Sequence, residues 1–303
     1  MRTLGLVLLF VCTTVLAEER PAADKEKVKG SYVPDGYELT FFDDFDGDKL
    51  DPKKWKTRYI YANETQDRLN DEQEHYRDNG NHVVEGGTLK LIAKKVGNAE
   101  KTEKTPYPIN YESGMIRSTY TQKYGYFEAR VKLPDAAGIW PAFWLNSDYG
   151  PDKKLSWPPE IDIFEYVING KEDTADMIHG GVVSKPSSAP DKKGQQAQGN
   201  EITYADPAFN KRWTFYKAPE SLANKWVTVG LEWTETSATI FVDGKKTVSF
   251  ATKWVYTDGS DAPPAHILLN LAVGGAWAGR HGIDDTKLPF VFEIDWVRAY
   301  KKK

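Results

Sequence analysis

Three carboxylates, Glu160, Asp162 and Glu165, lie within one short stretch and are interleaved with apolar residues. In a regular strand successive side chains point to opposite faces, so Glu160 and Asp162 share a face and Glu165 points the other way. A β-bulge that inserts one extra residue at Ile163–Phe164 would return Glu165 to the face of the other two. A helix serves less well, because it places Glu160 and Glu165 about 140° apart. The spacing therefore favours a bulged strand.

A row of carboxylates of this kind suits the cleavage of an acetal. That reaction needs a proton for the leaving oxygen and a carboxylate at the anomeric carbon, and in retaining enzymes the two carboxyl groups lie about 5–5.5 Å apart. A third carboxyl between them can share protons, so that repulsion between like charges keeps one group protonated near neutral pH. Taken alone, the alternation is also typical of a strand with one solvated face, so the surroundings of the row decide between the two interpretations.

Aromatic residues surround the row in the sequence. Trp140 and Trp144 precede it. Because they are four residues apart, on a strand they share one face and are both in the core or both in a cleft. His179 and Trp277 follow the row. Indole faces suit sugar rings, whose axial C–H groups pack on π surfaces while the hydroxyls take polar partners. The surroundings therefore favour a sugar-binding cleft over a plain strand.

Other chemistries find little support. The sequence contains no G-x-S-x-G elbow, no phosphate-binding loop, no H-E-x-x-H and no G-x-G-x-x-G motif. The only cysteine is Cys12, which lies in the apolar N-terminal segment. With 40 Lys and Arg against 44 Asp and Glu, the chain lacks the basic footprint of a nucleic-acid-binding protein. We therefore expect no nucleic-acid partner and neither triad nor zinc chemistry.

Residues 1–17 have the pattern of a secretory signal peptide, with an apolar run from Leu4 to Val11 and a small-residue cleavage site ending at Ala17. A membrane anchor is the alternative, but the run is shorter than the roughly 20 residues needed to span a bilayer. A lipoprotein signal is disfavoured because the bulky Val11 precedes Cys12. We expect a secreted protein, extracellular or periplasmic, that has no membrane contact after the signal is removed.

The remainder divides into a charged leader over residues 18–36 and a single domain over residues 37–303. The leader shows no hydrophobic period, whereas the domain contains many short segments of period-two alternation. Four such segments are Leu89–Ala93, Phe127–Leu133, Val227–Trp233 and Phe290–Trp296. Many short strands without intervening helices predict an all-β, antiparallel sandwich.

Three local features complete this pattern. Asp243-Gly244 lies between two apolar stretches and predicts a hairpin with a primed turn. Helix signals are confined to Leu50–Trp55, where an Asp cap followed by proline predicts one or two turns. The polar stretch Ser184–Asn200 predicts an exposed loop.

Several motifs occur together in the order seen in one known family. They are Phe42–Gly47, Ser113–Ile116, Tyr124–Arg130, Trp140–Trp144, Glu160–Glu165 and Asp295–Arg298. Over roughly residues 37 to 301 the chain thus resembles glycoside hydrolase family sixteen. The resemblance implies a β-jelly-roll sandwich with a substrate cleft along its concave face. It also implies retaining endo-hydrolysis of a β-linked polysaccharide, with no cofactor required for catalysis.

The resemblance also assigns residues by motif matching. Glu160 is expected to be the nucleophile and Glu165 the acid/base, while Asp162 orients and tunes Glu160. The residues expected to bind substrate are Trp140, Trp144, His179 and, by a looser match, Trp277. Many members of the family bind a structural calcium ion, for which Asp44 and Asp295 are the candidate side chains. The expected partner is the polysaccharide itself, and a monomer is expected.

The substrate is less sharply defined. Trp140–Trp144 resembles the laminarinases and favours β-1,3-glucan, but Trp157-Pro158-Pro159 runs directly into Glu160, where laminarinases carry a longer segment that ends in glycine. A marine galactan such as agar, porphyran or carrageenan therefore stays open, as does transglycosylation. A more distant alternative is a non-catalytic carbohydrate-binding sandwich. The complete pair Glu160 and Glu165 argues against it, because binding alone needs neither carboxylate at this spacing.

Overall fold

A computed structural model describes residues 30–61, 70–100, 109–149, 157–184, 196–197, 201–205, 210–256 and 258–303. These residues form nineteen strands, a short helix α1 (Gly275–Ala278) and a 3₁₀ helix (Asp285–Lys287). The strands are β1 (Tyr37–Asp43), β2 (Trp55–Lys56), β3 (Glu74–Tyr76), β4 (His82–Glu85), β5 (Thr88–Glu100), β6 (Ile109–Ser113), β7 (Met115–Gln122), β8 (Gly125–Lys132), β9 (Ile139–Ser147), β10 (Glu160–Glu165), β11 (Met177–Ser184), β12 (Gln196–Ala197), β13 (Glu201–Ala205), β14 (Asn210–Lys217), β15 (Trp226–Trp233), β16 (Ser237–Val242), β17 (Lys245–Ala251), β18 (Ala265–Val273) and β19 (Phe290–Lys302).

The described strands form two largely antiparallel sheets. One has ten strands in the order β17-β16-β15-β8-β19-β5-β6-β3, with β1 beside β19 and β4 beside β5. The other has nine strands in the order β12-β13-β14-β11-β10-β9-β18-β7-β2. Strand β10, which carries the carboxylate row, therefore lies in the middle of the second sheet. The expected all-β sandwich is confirmed.

The core lies between the sheets and is built from the period-two segments of the sequence. The alternating residues Leu89, Leu91, Ala93, Phe127, Ala129, Val131, Val227, Val229, Leu231 and Trp233 are all buried in one hydrophobic cluster. Burial of a large aliphatic or aromatic side chain contributes about 1.5–3 kcal/mol, so this shared cluster supplies a large part of the driving force for folding.

The last strand departs from its predicted pattern at one residue. A bulge between Ile294 and Trp296 shifts the register of β19 against β8, so that Trp296 pairs with Arg130. The inward face then continues through Val297, which belongs to the core cluster. Trp296 instead packs near the guanidinium of Arg298, at 5.6 Å from the ring centroid. The predicted last strand forms, and its inward alternation continues from Val297 because a bulge reverses the parity of every later residue.

The structure describes the predicted hairpin turn and the predicted helical turn, but little of the predicted loop. Asp243 and Gly244 join β16 to β17 with positive φ angles of 47° and 74°, as the primed turn requires. In Leu50–Trp55 a single turn forms, in which Asp51 accepts the backbone N–H of Lys53 on its side chain at 2.8 Å. The predicted loop Ser184–Asn200 lies outside the described residues, apart from the backbone of Ser184 and strand β12.

Residues 30–36, the end of the predicted leader, lie against the ten-stranded sheet. The Thr228 hydroxyl donates to the Gly30 carbonyl at 2.7 Å. The backbone N–H of Tyr32 donates to Glu128 Oε2 at 3.0 Å, and the Ser31 hydroxyl donates to the other oxygen. Contacts of the domain thus extend beyond its predicted start at Tyr37, and they cover the fully buried Glu128 carboxyl.

The predicted signal peptide and residues 18–29 of the leader lie outside the described residues. In the described part of the chain, no helix has both the length and the apolar character needed to cross a bilayer.

Candidate active site

The carboxylate row lies on a bulged strand. Opposite β9, Asp162 pairs with Trp144 and Phe164 pairs with Phe143, so Ile163 has no opposite residue of its own. Opposite β11, the register likewise shifts between Asp162 and Glu165. Ile163 and Phe164 are both fully buried in the core. The predicted bulge at Ile163–Phe164 is confirmed, and it returns Glu165 to the side of the sheet that carries Asp162.

A cleft crosses the outer face of the nine-stranded sheet at this point. Its described lining residues are Tyr59, Asn70, Glu72, Glu74, Tyr76, Trp140, Ala142, Trp144, Glu160, Asp162, Glu165, Asn270 and Ala272. All three carboxylates of the row belong to this set. Trp140 and Trp144 belong to it together, as their spacing on one strand requires. The cleft therefore combines flat aromatic faces with carboxylates, the mixture that a sugar-binding site needs.

Two indole groups hold the Glu165 carboxylate. Trp140 Nε1–H donates to Oε1 at 3.1 Å, and Trp213 Nε1–H donates to Oε2 at 2.6 Å. Sequence reasoning missed Trp213, which lies on β14 and pairs with Gly181 of the intervening strand β11. No local motif marks this tryptophan, because its contact with Glu165 spans a neighbouring strand. Hydrogen bonds of this kind stabilise the charged form of a carboxyl group.

A third indole holds Glu160 at the other end of the row. Trp157 Nε1–H donates to Glu160 Oε2 at 2.9 Å. Its side chain is partly exposed at the rim of the cleft. The short approach Trp157-Pro158-Pro159 therefore has a structural consequence, since it brings an indole N–H within reach of the first carboxylate. Asp162 lies between the two ends of the row and is 5% exposed.

A second polar region of the cleft comes from β3 and β18. Trp144 Nε1–H donates to Asn270 Oδ1 at 2.8 Å, and Asn270 Nδ2–H donates to Tyr76 OH at 3.0 Å. The Val273 backbone N–H donates to Glu74 Oε2 at 2.9 Å. Burial, reinforced by the nearby charge of Glu72, raises the pKa of Glu74 well above its ordinary value. The alternation Glu72-x-Glu74-x-Tyr76 was the signal that could have revealed this region.

The other two predicted substrate-binding residues lie beside the cleft. His179 pairs with Glu165 across β10 and β11. The Trp277 ring packs edge-on against His179 at 4.7 Å between ring centroids and against Trp140 at 5.2 Å. Neither belongs to the described lining set. Trp277 lies against the lining residue Trp140, and His179 lies opposite Glu165 in the strand register.

The two candidate calcium ligands are occupied by arginine side chains. Arg298 Nη2 donates to Asp44 Oδ1 at 2.6 Å, and Arg130 Nη1 donates to Asp295 Oδ2. Among the residues that the structure describes, no group of three or more His, Cys, Asp or Glu side chains is arranged to hold a metal ion. Guanidinium groups thus compensate both charges in this structure, and calcium binding by Asp44 and Asp295 stays a prediction.

Known proteins are similar to this chain over most of its length. A family model described as "Beta-porphyranase A-D, GH16 domain" matches residues 39–302. The chain is 28% identical to a β-glucanase of Rhodothermus marinus, over 88% of this chain and 85% of the relative. It is also 28% identical to a glucan endo-1,3-β-glucosidase of Niallia circulans, over 88% of this chain and 38% of that longer protein.

The fold has close counterparts among solved structures. The laminarinase catalytic domain of Thermotoga maritima superposes with a TM-score of 0.68 at 26% identity, covering 88% of this chain and 99% of that domain. The similarity therefore covers most of this chain and nearly all of that domain.

Proposed function

The chain belongs to glycoside hydrolase family sixteen, and from this premise we propose that it is a secreted, retaining endo-hydrolase of a β-linked polysaccharide, acting as a monomer. The observation that carries the proposal is the bulge in β10. It gathers Glu160, Asp162 and Glu165 on one cleft wall beside Trp140 and Trp144. A non-catalytic sugar-binding protein would need the aromatic faces but not this row.

In the proposed reaction, Glu165 gives its proton to the leaving glycosidic oxygen while Glu160 attacks the anomeric carbon. The bond between that carbon and the leaving oxygen breaks, and a covalent glycosyl-enzyme forms. Glu165, now a carboxylate, takes a proton from water, and the water oxygen displaces Glu160. Asp162 orients Glu160 both for its attack on the anomeric carbon and for its later displacement by water.

The indole donors fit these roles. Trp157 favours the carboxylate form of Glu160, which is the form that acts as a nucleophile. Trp140 and Trp213 stabilise the negative charge that develops on Glu165 as it releases its proton. Donors that are already aimed at the site of developing charge need no reorganisation during the reaction.

For the substrate we propose β-1,3-glucan. The curated relatives described above are a β-glucanase and an endo-1,3-β-glucosidase, and the solved counterpart is a laminarinase domain. A porphyran-type galactan is the second candidate, because the family model that matches residues 39–302 is one of β-porphyranases. The short approach to Glu160 also favours this second candidate.

Reducing-sugar release from laminarin, mixed-linkage glucan, agarose, porphyran and carrageenan tests the proposal. We expect release from laminarin, and a fall of at least about 100-fold in Glu160→Gln and in Glu165→Gln. Glu172→Gln is the matched control, because Glu172 is an exposed glutamate paired with His281 outside the cleft lining. Release confined to porphyran would select the second candidate.

Two further readouts separate the remaining alternatives. An aryl glycoside with a good leaving group needs no acid, so glycosyl-enzyme formation should survive in Glu165→Gln but not in Glu160→Gln. Products longer than the starting oligosaccharide would indicate transglycosylation. Binding to these polysaccharides without turnover, or full turnover by Glu160→Gln, would overturn the proposal.

A further inference from the structure

A buried carboxylate that the mechanism has not used lies behind the Glu165 end of the cleft. Asp173, in the loop after β10, is 8% exposed. Its Oδ2 accepts hydrogen bonds from Trp277 Nε1 at 2.7 Å and from Asn169 Nδ2 at 2.6 Å. Its Oδ1 lies 3.0 Å from His179 Nε2, at ion-pair distance. One carboxylate thus contacts two residues that the family resemblance assigns to substrate binding.

The loop is built to hold Asp173 in this position. Asn169 Oδ1 accepts the backbone N–H groups of Lys171, Glu172 and Asp173 at 3.0, 3.0 and 3.1 Å. The Asn169 backbone N–H donates to the Asp173 carbonyl at 3.2 Å. Because the turn is closed by these bonds, the position of the Asp173 carboxylate is set before any substrate arrives.

His179 and Trp277, the two partners of Asp173, connect it with Glu165. His179 is the residue opposite Glu165 in the register of β10 and β11. Trp277 packs edge-on against His179 and against Trp140, and Trp140 donates to Glu165 Oε1. A displacement of Asp173 would therefore disturb both His179, which lies opposite Glu165, and the Trp140 indole, which donates to Glu165.

Asp173 holds its charge next to the histidine ring. Burial raises the pKa of Asp173, but its contacts with His179 and Trp277 outweigh burial, and the pKa lies below its ordinary value. A carboxylate 3.0 Å from Nε2 favours the tautomer that has its proton on that nitrogen. That tautomer leaves the lone pair of the ring on Nδ1.

We infer that Asp173 is a positioning residue that fixes the Nε2 proton of His179 and the orientation of Trp277, and through them the placement of Trp140 and its N–H against Glu165. The inference rests on the proposed function of Glu165 as acid/base. It names a carboxylate–histidine–tryptophan unit that supports the group that protonates the leaving oxygen.

Asp173→Asn separates this role from a purely structural one. The amide oxygen still accepts from Trp277 and Asn169, but the amide nitrogen donates toward His179 and forces the ring proton to Nδ1. The same exchange disables other carboxylate-oriented histidines. On laminarin we expect kcat to fall about tenfold or more with KM changed less than threefold, because misplacement near the reacting bond costs turnover.

Nitrogen NMR of the isotopically labelled chain gives the direct readout. In the wild type His179 should carry its proton on Nε2, and in Asp173→Asn on Nδ1; His179→Gln assigns the signal. Glu172→Gln is the matched control, because Glu172 belongs to the same loop and contacts another histidine, His281, at 2.7 Å outside the cleft lining. Both the His179 signal and kcat should be unchanged in this control.

Two results would overturn the inference. One is a wild-type His179 that carries its proton on Nδ1 alone, a measurement that requires no variant to fold and no substrate. The other is an Asp173→Asn chain with the ring proton moved but kcat unchanged. Inactivity of the wild type on every polysaccharide would instead overturn the proposed function, and the NMR result would still stand.

Discussion

Two buried carboxyl groups, Asp173 near the Glu165 end of the cleft and Glu74 near the β3 end, have opposite surroundings. Asp173 accepts hydrogen bonds from Trp277 and Asn169 and lies 3.0 Å from His179 Nε2. At the β3 end, Glu74 accepts from the backbone N–H of Val273 and lies near a second carboxylate. The pKa of Asp173 is lowered and that of Glu74 is raised.

This difference shows that burial alone does not decide the charge of a carboxyl group. Burial raises the pKa of both groups, but at Asp173 the donors more than compensate for it. Asp173 is therefore an anion that organises donors around the proposed acid/base. At Glu74, burial and the nearby charge of Glu72 favour the neutral form instead. The surroundings of the two carboxyl groups thus favour opposite charge states.

The largest expected effect is on stability. Asp173→Ala leaves the N–H donors of Trp277 and Asn169 without an acceptor and removes the charge that faces His179. Each buried unsatisfied group costs about 1–3 kcal/mol. Glu74→Ala removes the acceptor of the Val273 N–H but no carboxylate that faces a histidine. We expect the free energy of unfolding to fall by about 3 kcal/mol or more for Asp173→Ala and by about 2 kcal/mol for Glu74→Ala. Urea denaturation of both variants measures the difference, and a larger loss at Glu74 would contradict the comparison.

A smaller effect is expected on turnover. Trp140→Phe keeps a ring against Trp277 but removes the N–H that donates to Glu165. We expect kcat to fall about tenfold, which corresponds to about 1.4 kcal/mol. Trp226→Phe is the control, because Trp226 lies on the other sheet against Arg130 and Lys132. Equal effects of the two substitutions would remove the special role of the Trp140 donor.

The pH dependence of stability should have opposite signs at the two ends. The folded pKa of Glu74 is above its ordinary value of 4.5, so the wild type loses stability as the pH rises from about 4.5 to the folded pKa. The Tm of Glu74→Gln should therefore rise relative to the Tm of the wild type above about pH 4.5, by about 2–4 °C for each kcal/mol.

At Asp173 the folded pKa is below its ordinary value of 3.8, so its contribution is present at neutral pH and is lost as the pH falls through the folded pKa. The Tm deficit of Asp173→Asn should thus be constant from about pH 5 to about pH 8 and should shrink below about pH 4. Thermal unfolding of the wild type, Glu74→Gln and Asp173→Asn from about pH 3 to about pH 8 checks both signs. Parallel pH profiles at the two ends would contradict the comparison.

The smallest effect is expected from the hydrogen bonds that join Trp144, Asn270 and Tyr76. Trp144→Phe removes the N–H that donates to Asn270 but keeps an aromatic face in the cleft. We expect KM to rise about threefold, equivalent to about 0.6 kcal/mol, with a smaller change in kcat. Steady-state kinetics on laminarin measure both constants. A larger fall in kcat than for Trp140→Phe would show that the β3 end also acts on the reacting bond.

Features that depend only on residues adjacent in the sequence could be predicted from the sequence. The bulge at Ile163–Phe164 follows from the polarity of six successive residues, because only one extra residue brings Glu165 to the side of Asp162. The shared face of Trp140 and Trp144 follows from the period of a strand. The polarity pattern does not mark the bulge before Trp296, which only the register of β19 against β8 reveals.

The sequence by itself determined the sandwich, the strand that carries the row and the three carboxylates on it, because alternation and turn residues are local properties of the chain. Only the tertiary structure decided which groups surround those carboxylates. Trp213 reaches Glu165 from β14, and Asp173 meets Trp277, which lies about a hundred residues further along the chain. Such contacts depend on strand order and loop closure, so the charge of a buried group is a property of the fold rather than of its sequence neighbourhood.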